Sequence, residues 1–328
     1  MASRKNGIIG ENQNHMIINT GQRTDIPAFY AKWFANRLKE GYVLVRNPYN
    51  PQQVTRYLLD PSVVDVIGFC SKNPAPMLEY MNLLSPYGQF WYVTVTPYGK
   101  EIEPAVPNKL QVLETFKKLS DIVGPNRIGW RYDPVFISDA YPIKRHLKAF
   151  EYMAKELSPY TKITVISFVD MYEKTRRNFP EVREVTSEDR LLLGKSFIQI
   201  ANTYGMTVFP CAEGNELEQF GADCRGCMTV SMYEEALGQH LKVPYKTPAR
   251  KECACYLSGD IGAYNTCGHF CKYCYANFDE NTVRINMKLH DPQSPLLIGH
   301  LNPDDQIHEA KQESWIEKQI QMDLSSVF

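Results

Sequence analysis

Ile163-Thr-Val-Ile-Ser-Phe-Val169, closed by Asp170, is a short apolar run that ends on a carboxylate, and the same figure recurs along the chain. Six other short apolar runs lead into polar, charged or proline-stopped ends: His15 to Asn19, Tyr42 to Val45, Val63 to Phe69, Phe90 to Val95, Arg127 to Trp130 and Met206 to Phe209. Each has the length of a buried strand. Longer amphipathic stretches separate most of them, at Pro27 to Lys39, Ala75 to Leu84, Lys109 to Val123, Tyr141 to Leu157 and Ser187 to Tyr204. That alternation is the pattern of βα units around a parallel sheet. Behind each run the chain turns polar, charged or proline-stopped: Arg23 and Asp25, Arg46 and Asn47, Lys72 and Asn73, Thr96, Arg131 and Asp133, Asp170, and Glu213 beside Cys211. In a TIM-like (β/α) barrel the carboxyl ends of the strands form one functional face, whereas a doubly wound sheet gathers its polar groups at one switch point. The expected fold is therefore an α/β, TIM-like barrel, closed or nearly closed.

The implied domain plan is a polar segment over 1–14, a barrel body over 15–210, a cysteine-rich segment over 211–301 that completes the mouth, and a tail over 302–328. An amphipathic helix is expected within the tail, over Gln306 to Met322. At 328 residues, 44% hydrophobic and 22% charged, the chain can bury a large core. A formal net charge of -1 provides no overall electrostatic footprint for nucleic acid or an anionic membrane. The polar start lacks the apolar core of a signal peptide, and no run is long enough to span a bilayer, so the expected location is cytoplasmic.

Of nine cysteines, eight lie after residue 210, which in a large cytosolic chain favours metal over disulfides. Cys70, alone in an apolar run, reads as a buried core thiol. The run Cys267-Gly-His-Phe-Cys271-Lys-Tyr-Cys274 has a Cys-x3-Cys-x2-Cys spacing. Soft thiolates in so short a loop suit iron-sulfur clusters, zinc or copper(I). The spacing is that by which radical S-adenosylmethionine enzymes bind a 4Fe-4S cluster through three thiolates, leaving one iron open to the cofactor. Tyr273 stands where such enzymes carry an aromatic residue near the cofactor adenine. The competing reading is a zinc knuckle with its fourth ligand elsewhere, although zinc loops favour paired Cys-x2-Cys spacings.

Outside the triplet stand Cys211, Cys224, Cys227, Cys253 and Cys255, enough thiols for a second centre with one to spare. The charged groups behind the runs divide by chemistry. Arg23, Arg46, Lys72 and Arg131 could clamp an anionic ligand, while Asp25, Asp133, Asp170 and Glu213 could hold a ribose, an amine or a proton. For each, the competing role is an ion pair that seals the barrel end. His269 reads as a loop residue shielding the metal, and the basic Lys174-Thr-Arg-Arg177 as a solvated loop rather than a nucleic-acid contact.

The set Arg23-Thr-Asp-Ile-Pro27, Val45-Arg-Asn-Pro48, Lys72-Asn-Pro-Ala-Pro-Met77, Trp130-Arg-Tyr-Asp-Pro134, Ser167-Phe-Val-Asp170, Cys211-Ala-Glu213 and Asp260-Ile-Gly-Ala-Tyr-Asn-Thr-Cys267 resembles the bacterial and archaeal domain-of-unknown-function 1848 family. The resemblance spans about Met16 to Leu301. It implies a radical-SAM-like iron-sulfur protein with its cluster motif at the C-terminal end, and it supplies no substrate. It also implies Cys211, Cys227, Cys253 and Cys255 as auxiliary thiols, with Cys224 an addition that stands as the alternative ligand to Cys227, and an aromatic residue where this chain has Cys70. A loop after the last strand can replace one after the first only if the ends of the sheet come together, which makes the Tyr256 to Tyr264 segment the final strand or the approach to the cluster. The expected cofactors are one or two 4Fe-4S clusters and S-adenosylmethionine. The expected partners are a small-molecule substrate and an electron donor such as flavodoxin or ferredoxin, without nucleic acid or membrane. The alternative function is an electron-transfer iron-sulfur protein or a zinc-bearing structural or ligand-binding protein.

Overall fold

The structure, a computed structural model, describes residues 16–244, 253, 255–256 and 259–317. Its strands are β1 (Ile17–Asn19), β2 (Tyr42–Arg46), β3 (Gln53–Leu58), β4 (Val66–Ser71), β5 (Gly88–Thr94), β6 (Ile128–Val135), β7 (Ile163–Phe168), β8 (Thr207–Pro210), β9 (Gly259–Asp260) and β10 (Gln306–Glu309). The α-helices are α1 (Ile26–Phe29), α2 (Ala31–Glu40), α3 (Met81–Leu84), α4 (Lys109–Val123), α5 (Ile143–Leu157), α6 (Glu173–Asn178), α7 (Ser187–Thr203), α8 (Val230–Leu237) and α9 (Glu280–Lys288).

Seven strands form one parallel sheet in the order β8-β7-β6-β5-β4-β1-β9. The order runs in one direction without the reversal of a doubly wound sheet. Among the described residues the sheet is not closed, however: β8 and β9 are its two edges. This corrects the expected closed barrel. The stretch between these edges includes α8, whose Met232, Tyr233 and Ala236 pack on the inner sheet face with Phe90, Tyr92, Val165 and Phe209. A Cβ on Gly88, at the start of β5, would meet Leu237 of α8 at 2.2 Å. The helix therefore fills space that a closed barrel fills with strand side chains.

Successive strand residues alternate between the two faces. Ile67, Phe69, Trp91, Val93, Trp130 and Ile166 join the larger core beneath the helices, and Phe69 stacks on Trp91 at 3.7 Å. On α5, buried His146, Phe150, Met153, Ala154 and Leu157 recur at helical spacing and make one apolar stripe. Phe150 stacks on Phe197 of α7 at 4.4 Å.

Two further expectations are corrected. The Tyr42 to Val45 run forms β2, but it belongs to a separate three-stranded sheet in the order β10-β3-β2. At 306–309 the tail is not helical: Gln306–Glu309 forms β10, parallel to β3. These four residues are exposed and pair in register from Gln306↔Gln53 to Glu309↔Arg56, so main-chain pairing along β3 overrides their weak helical pattern. The rest of the expected helix, from 318, lies outside the described residues. Among the described residues, no helix is long and apolar enough to cross a membrane.

Candidate functional site

The carboxyl ends of β1, β4, β5, β6, β7, β8 and β9 lead to one face, where the cysteine loop follows β9. Asp25, at the exit of β1, ties three segments together. Its Oδ1 accepts from the Ala28 amide at 3.0 Å, and its Oδ2 accepts from the Lys72 amide at 2.8 Å and lies 2.8 Å from His269 Nε2. His269 thus anchors the triplet loop to the sheet. Arg23 pairs with Asp260 of β9 at 2.8 Å, and Gln22 donates its amide to the same carboxylate at 2.9 Å. Between the strand exits the backbones press close: a Cβ on Gly21 would stand 2.3 Å from the Cys70 carbonyl oxygen.

Cys267, Cys271 and Cys274 are partly exposed and interact electrostatically with one another. Burial pushes all three thiols up, Cys271 to about 12 despite the opposing Lys72 ammonium. Without metal they are therefore held protonated, and a metal must displace those protons. Main-chain bonds bracket Cys271, with Ala105 donating to the His269 carbonyl at 3.2 Å and Lys272 donating to the Ile102 carbonyl at 3.0 Å. Between Ile102 and Ala105 lies Glu103, fully buried. It accepts from Lys72 Nζ and Thr96 Oγ1 at 2.9 Å each, and from Lys109 Nζ and the Tyr273 hydroxyl. Burial opposes its ionisation, but the two ammonium groups outweigh that and hold its carboxyl down at about 2.

The second thiol group forms a chain of contacts. Cys227 Sγ lies 3.3 Å from Cys255 Sγ, Cys211 hydrogen-bonds Cys227, and Cys253 hydrogen-bonds Cys255. The Cys255 contact lowers Cys253 to about 7, the most readily ionised thiol of this chain of four. Arg131 faces the group with Nη1 3.7 Å from Cys227 Sγ, while its Nε and Nη2 bond Asp133 at 2.8 and 2.5 Å. Burial pushes the Cys70 thiol up to about 12, and it packs against the core that includes Tyr92 and Cys227, where it also feels Arg131, Asp133, Cys211 and Asp25. Cys224 stands apart, near Glu218 and Asp223.

Among the described residues, the three non-glycine residues with a left-handed backbone all lie beside cysteines: Ala212 at φ 59, Asn265 at φ 58 and Phe270 at φ 55. Each such residue costs on the order of 1–3 kcal/mol and persists only where its surroundings impose it. Among the described residues, no three His, Cys, Asp or Glu side chains converge on the position of a single metal ion. The thiols thus form spread constellations rather than a closed mononuclear cage.

The charged groups expected to clamp an anion are instead paired: Arg23 with Asp260, Lys72 with Glu103, and Arg131 with Asp133. Arg46 and Asn47 lie at the β2–β3 turn, in the separate three-stranded sheet. Arg46 holds Asp305 at 2.5 and 2.7 Å, and Asn47 bonds Gln53 and the Tyr49 amide. The Asn73 amide donates to Ser71 Oγ at 2.9 Å. Asp170 is exposed and accepts from the Tyr172 hydroxyl at 2.9 Å. Glu213 accepts from the Phe168 amide at 2.8 Å and Arg190 at 3.1 Å, and burial raises it to about 7. Tyr273 is turned into an aromatic cluster with Tyr98 and Phe136.

Sequence reading passed over Glu103, gave Lys109 no role beyond starting a helix, and quoted Asp260 in a motif without assigning it a partner. The available signal was the charged, proline-flanked loop Glu101-Ile-Glu103-Pro104 behind β5.

The family described as "Domain of unknown function (DUF1848)" matches residues 17–276. No curated protein matches. Among solved structures, a protein described as an alpha-L-fucosidase from Bacteroides thetaiotaomicron is similar at 14% identity and a TM-score of 0.30, over 72% of this chain and 87% of that one. The FimX EAL domain of Xanthomonas citri, solved with c-diGMP, is similar at 10% identity and a TM-score of 0.21, over 60% and 90%. Neither likeness bears on function.

Proposed function

The chain belongs to the DUF1848 family, and within that family we propose that it is an iron-sulfur protein of the radical S-adenosylmethionine type. The observation that carries the reading is the triplet loop: three mutually interacting thiols on one short segment, anchored on both sides of Cys271 and through His269 to Asp25. The donor set fits a 4Fe-4S cluster, since it offers soft sulfur ligands in threes and leaves one iron open. When bound there, such a cluster supplies the electron that cleaves S-adenosylmethionine to methionine and a 5′-deoxyadenosyl radical able to take hydrogen from a small-molecule substrate.

In this reading, Cys267, Cys271 and Cys274 hold the cluster, and the Asp25–His269 contact keeps their loop against β1. Cys211, Cys227, Cys253 and Cys255 hold an auxiliary cluster, with the Arg131 charge offsetting their thiolates. The substrate is a small molecule. A flavodoxin or ferredoxin is the electron donor.

The test is anaerobic purification followed by iron quantitation, spectroscopy and product analysis. Two cubanes predict about eight irons per chain, and one predicts about four. Adding S-adenosylmethionine to the reduced protein is expected to perturb the cluster signal and release 5′-deoxyadenosine. A colourless protein containing zinc, or an intact reduced cluster that leaves S-adenosylmethionine uncleaved and its own signal unmoved, overturns the reading.

A further inference from the structure

We infer that Lys72 and Glu103 are opposed positioning charges that set the reduction potential of the cluster held by Cys267, Cys271 and Cys274. The inference rests on the iron-sulfur reading of that site.

Glu103 is 0% exposed in its side chain, while Lys72 and Lys109 are 15% and 23% exposed. Two ammonium groups therefore share one carboxylate, which leaves a surplus of one positive charge in a place largely removed from water. A buried surplus charge is costly until a counter-charge arrives. Beyond Glu103, Lys72 feels Cys271 of the cysteine loop and Asp133, and Asp133 is itself paired with Arg131. Lys72 Nζ lies 5.5 Å from the centre of the Tyr273 ring, and the loop carrying Glu103 is hydrogen-bonded to the main chain of both His269 and Lys272, on either side of Cys271. The Cys271 thiol feels both Lys72 and Glu103.

Lys72 is also held at two points. Its amide donates to Asp25, the carboxylate that binds His269, and its ammonium donates to Glu103. A charge fixed so firmly beside a ligand acts without reorganising when an electron arrives. One-electron reduction adds one negative charge to the cluster. The Lys72 ammonium favours that state and raises the potential, whereas the Glu103 carboxylate disfavours it and lowers the potential.

The experiment is a redox titration of the anaerobically purified protein, followed by the electron-spin signal of the reduced triplet cluster, without S-adenosylmethionine. Lys72→Met is expected to lower the midpoint potential by at least the equivalent of a tenfold change in equilibrium constant, about 59 mV for a one-electron couple. Glu103→Gln is expected to raise it, and Lys72→Arg to restore most of the wild-type value. A purely structural role gives shifts of the same sign in Lys72→Met and Glu103→Gln, or none, and either result with the cluster intact overturns the inference. If Lys72→Met fails to assemble a cluster, the downward arm passes to Lys109→Met, and the sign contrast with Glu103→Gln decides. Wild-type protein that binds no iron-sulfur cluster refutes the functional reading itself, an outcome distinct from unmoved potentials.

Discussion

His146 makes the stability of this protein depend on pH well away from its thiols. The imidazole is fully buried on α5, with Nδ1 2.8 Å from the Tyr132 hydroxyl and Nε2 2.8 Å from the Phe136 carbonyl oxygen. A neutral ring that donates through Nε2 and accepts at Nδ1 satisfies both contacts. Burial lowers its pKa from the ordinary 6.5 to about 4, against the partial support of the Phe136 carbonyl. Above pH 6.5 both folded and unfolded chains carry a neutral ring, and stability is complete. As pH falls from 6.5 toward 4, the unfolded chain takes up a proton that the folded chain refuses. The full loss is about 3 kcal/mol at about 1.4 kcal/mol per pH unit, and about 2 kcal/mol of it is spent by pH 5. Urea unfolding of wild type and His146→Gln at pH 7.5 and pH 5.0 isolates this contribution, because the other titrating groups are common to both proteins. Wild type is expected to lose about 2 kcal/mol more than the variant across that interval. Equal losses, or a greater loss in the variant, refute the buried neutral imidazole.

The geometry fixes three outcomes elsewhere in the molecule. Gly21→Ala forces a Cβ to 2.3 Å from the Cys70 carbonyl oxygen and 2.6 Å from its Cβ, and is expected to cost about 1–3 kcal/mol; an unchanged thermal midpoint contradicts the close approach. Arg46→Ala removes the two-pronged contact with Asp305 and is expected to lower the thermal midpoint while leaving bound iron unchanged. Lower iron content in that variant returns Arg46 to the site. Cys224→Ser is expected to keep the wild-type iron content and Cys227→Ser to lose iron, as metal analysis of the two variants will decide.

Periodicity located the strands well where an apolar run is buried, as at Ile163–Phe168, and the polar residues behind the runs do meet at one face. The exception, Tyr42–Arg46, shows what a run does not encode. Its antiparallel partner Gln53–Leu58 contains Thr55 and Arg56 and carries little apolar signal, so nothing local assigned the pair to a second sheet. β9 has only two residues, too short to stand out by composition. Sheet closure was equally illegible, because it depends on whether β8 and β9 meet across a long intervening segment. Glu103 escaped for a related reason: its partners Lys72 and Tyr273 are 31 and 170 positions away. The cysteine spacing was legible because its three thiols sit on one loop, whereas the selection of Cys211, Cys227, Cys253 and Cys255 came through resemblance, because their mutual contacts join separate loops.

The pairing of β1 with β9, Asn19 against Asp260, joins parts of the chain that leave the ribosome far apart in time. Until Asp260 is available, β1 has β4 on one side and an unpaired edge on the other, with Arg23 lacking its carboxylate. Such edges invite wrong partners, and contacts of this separation form slowly. The triplet loop comes after β9 in the chain, so the thiols reach their place only when the sheet has been completed. The order of synthesis thus makes placement of the triplet loop a late event, and a chain interrupted before β9 has an exposed edge and no triplet.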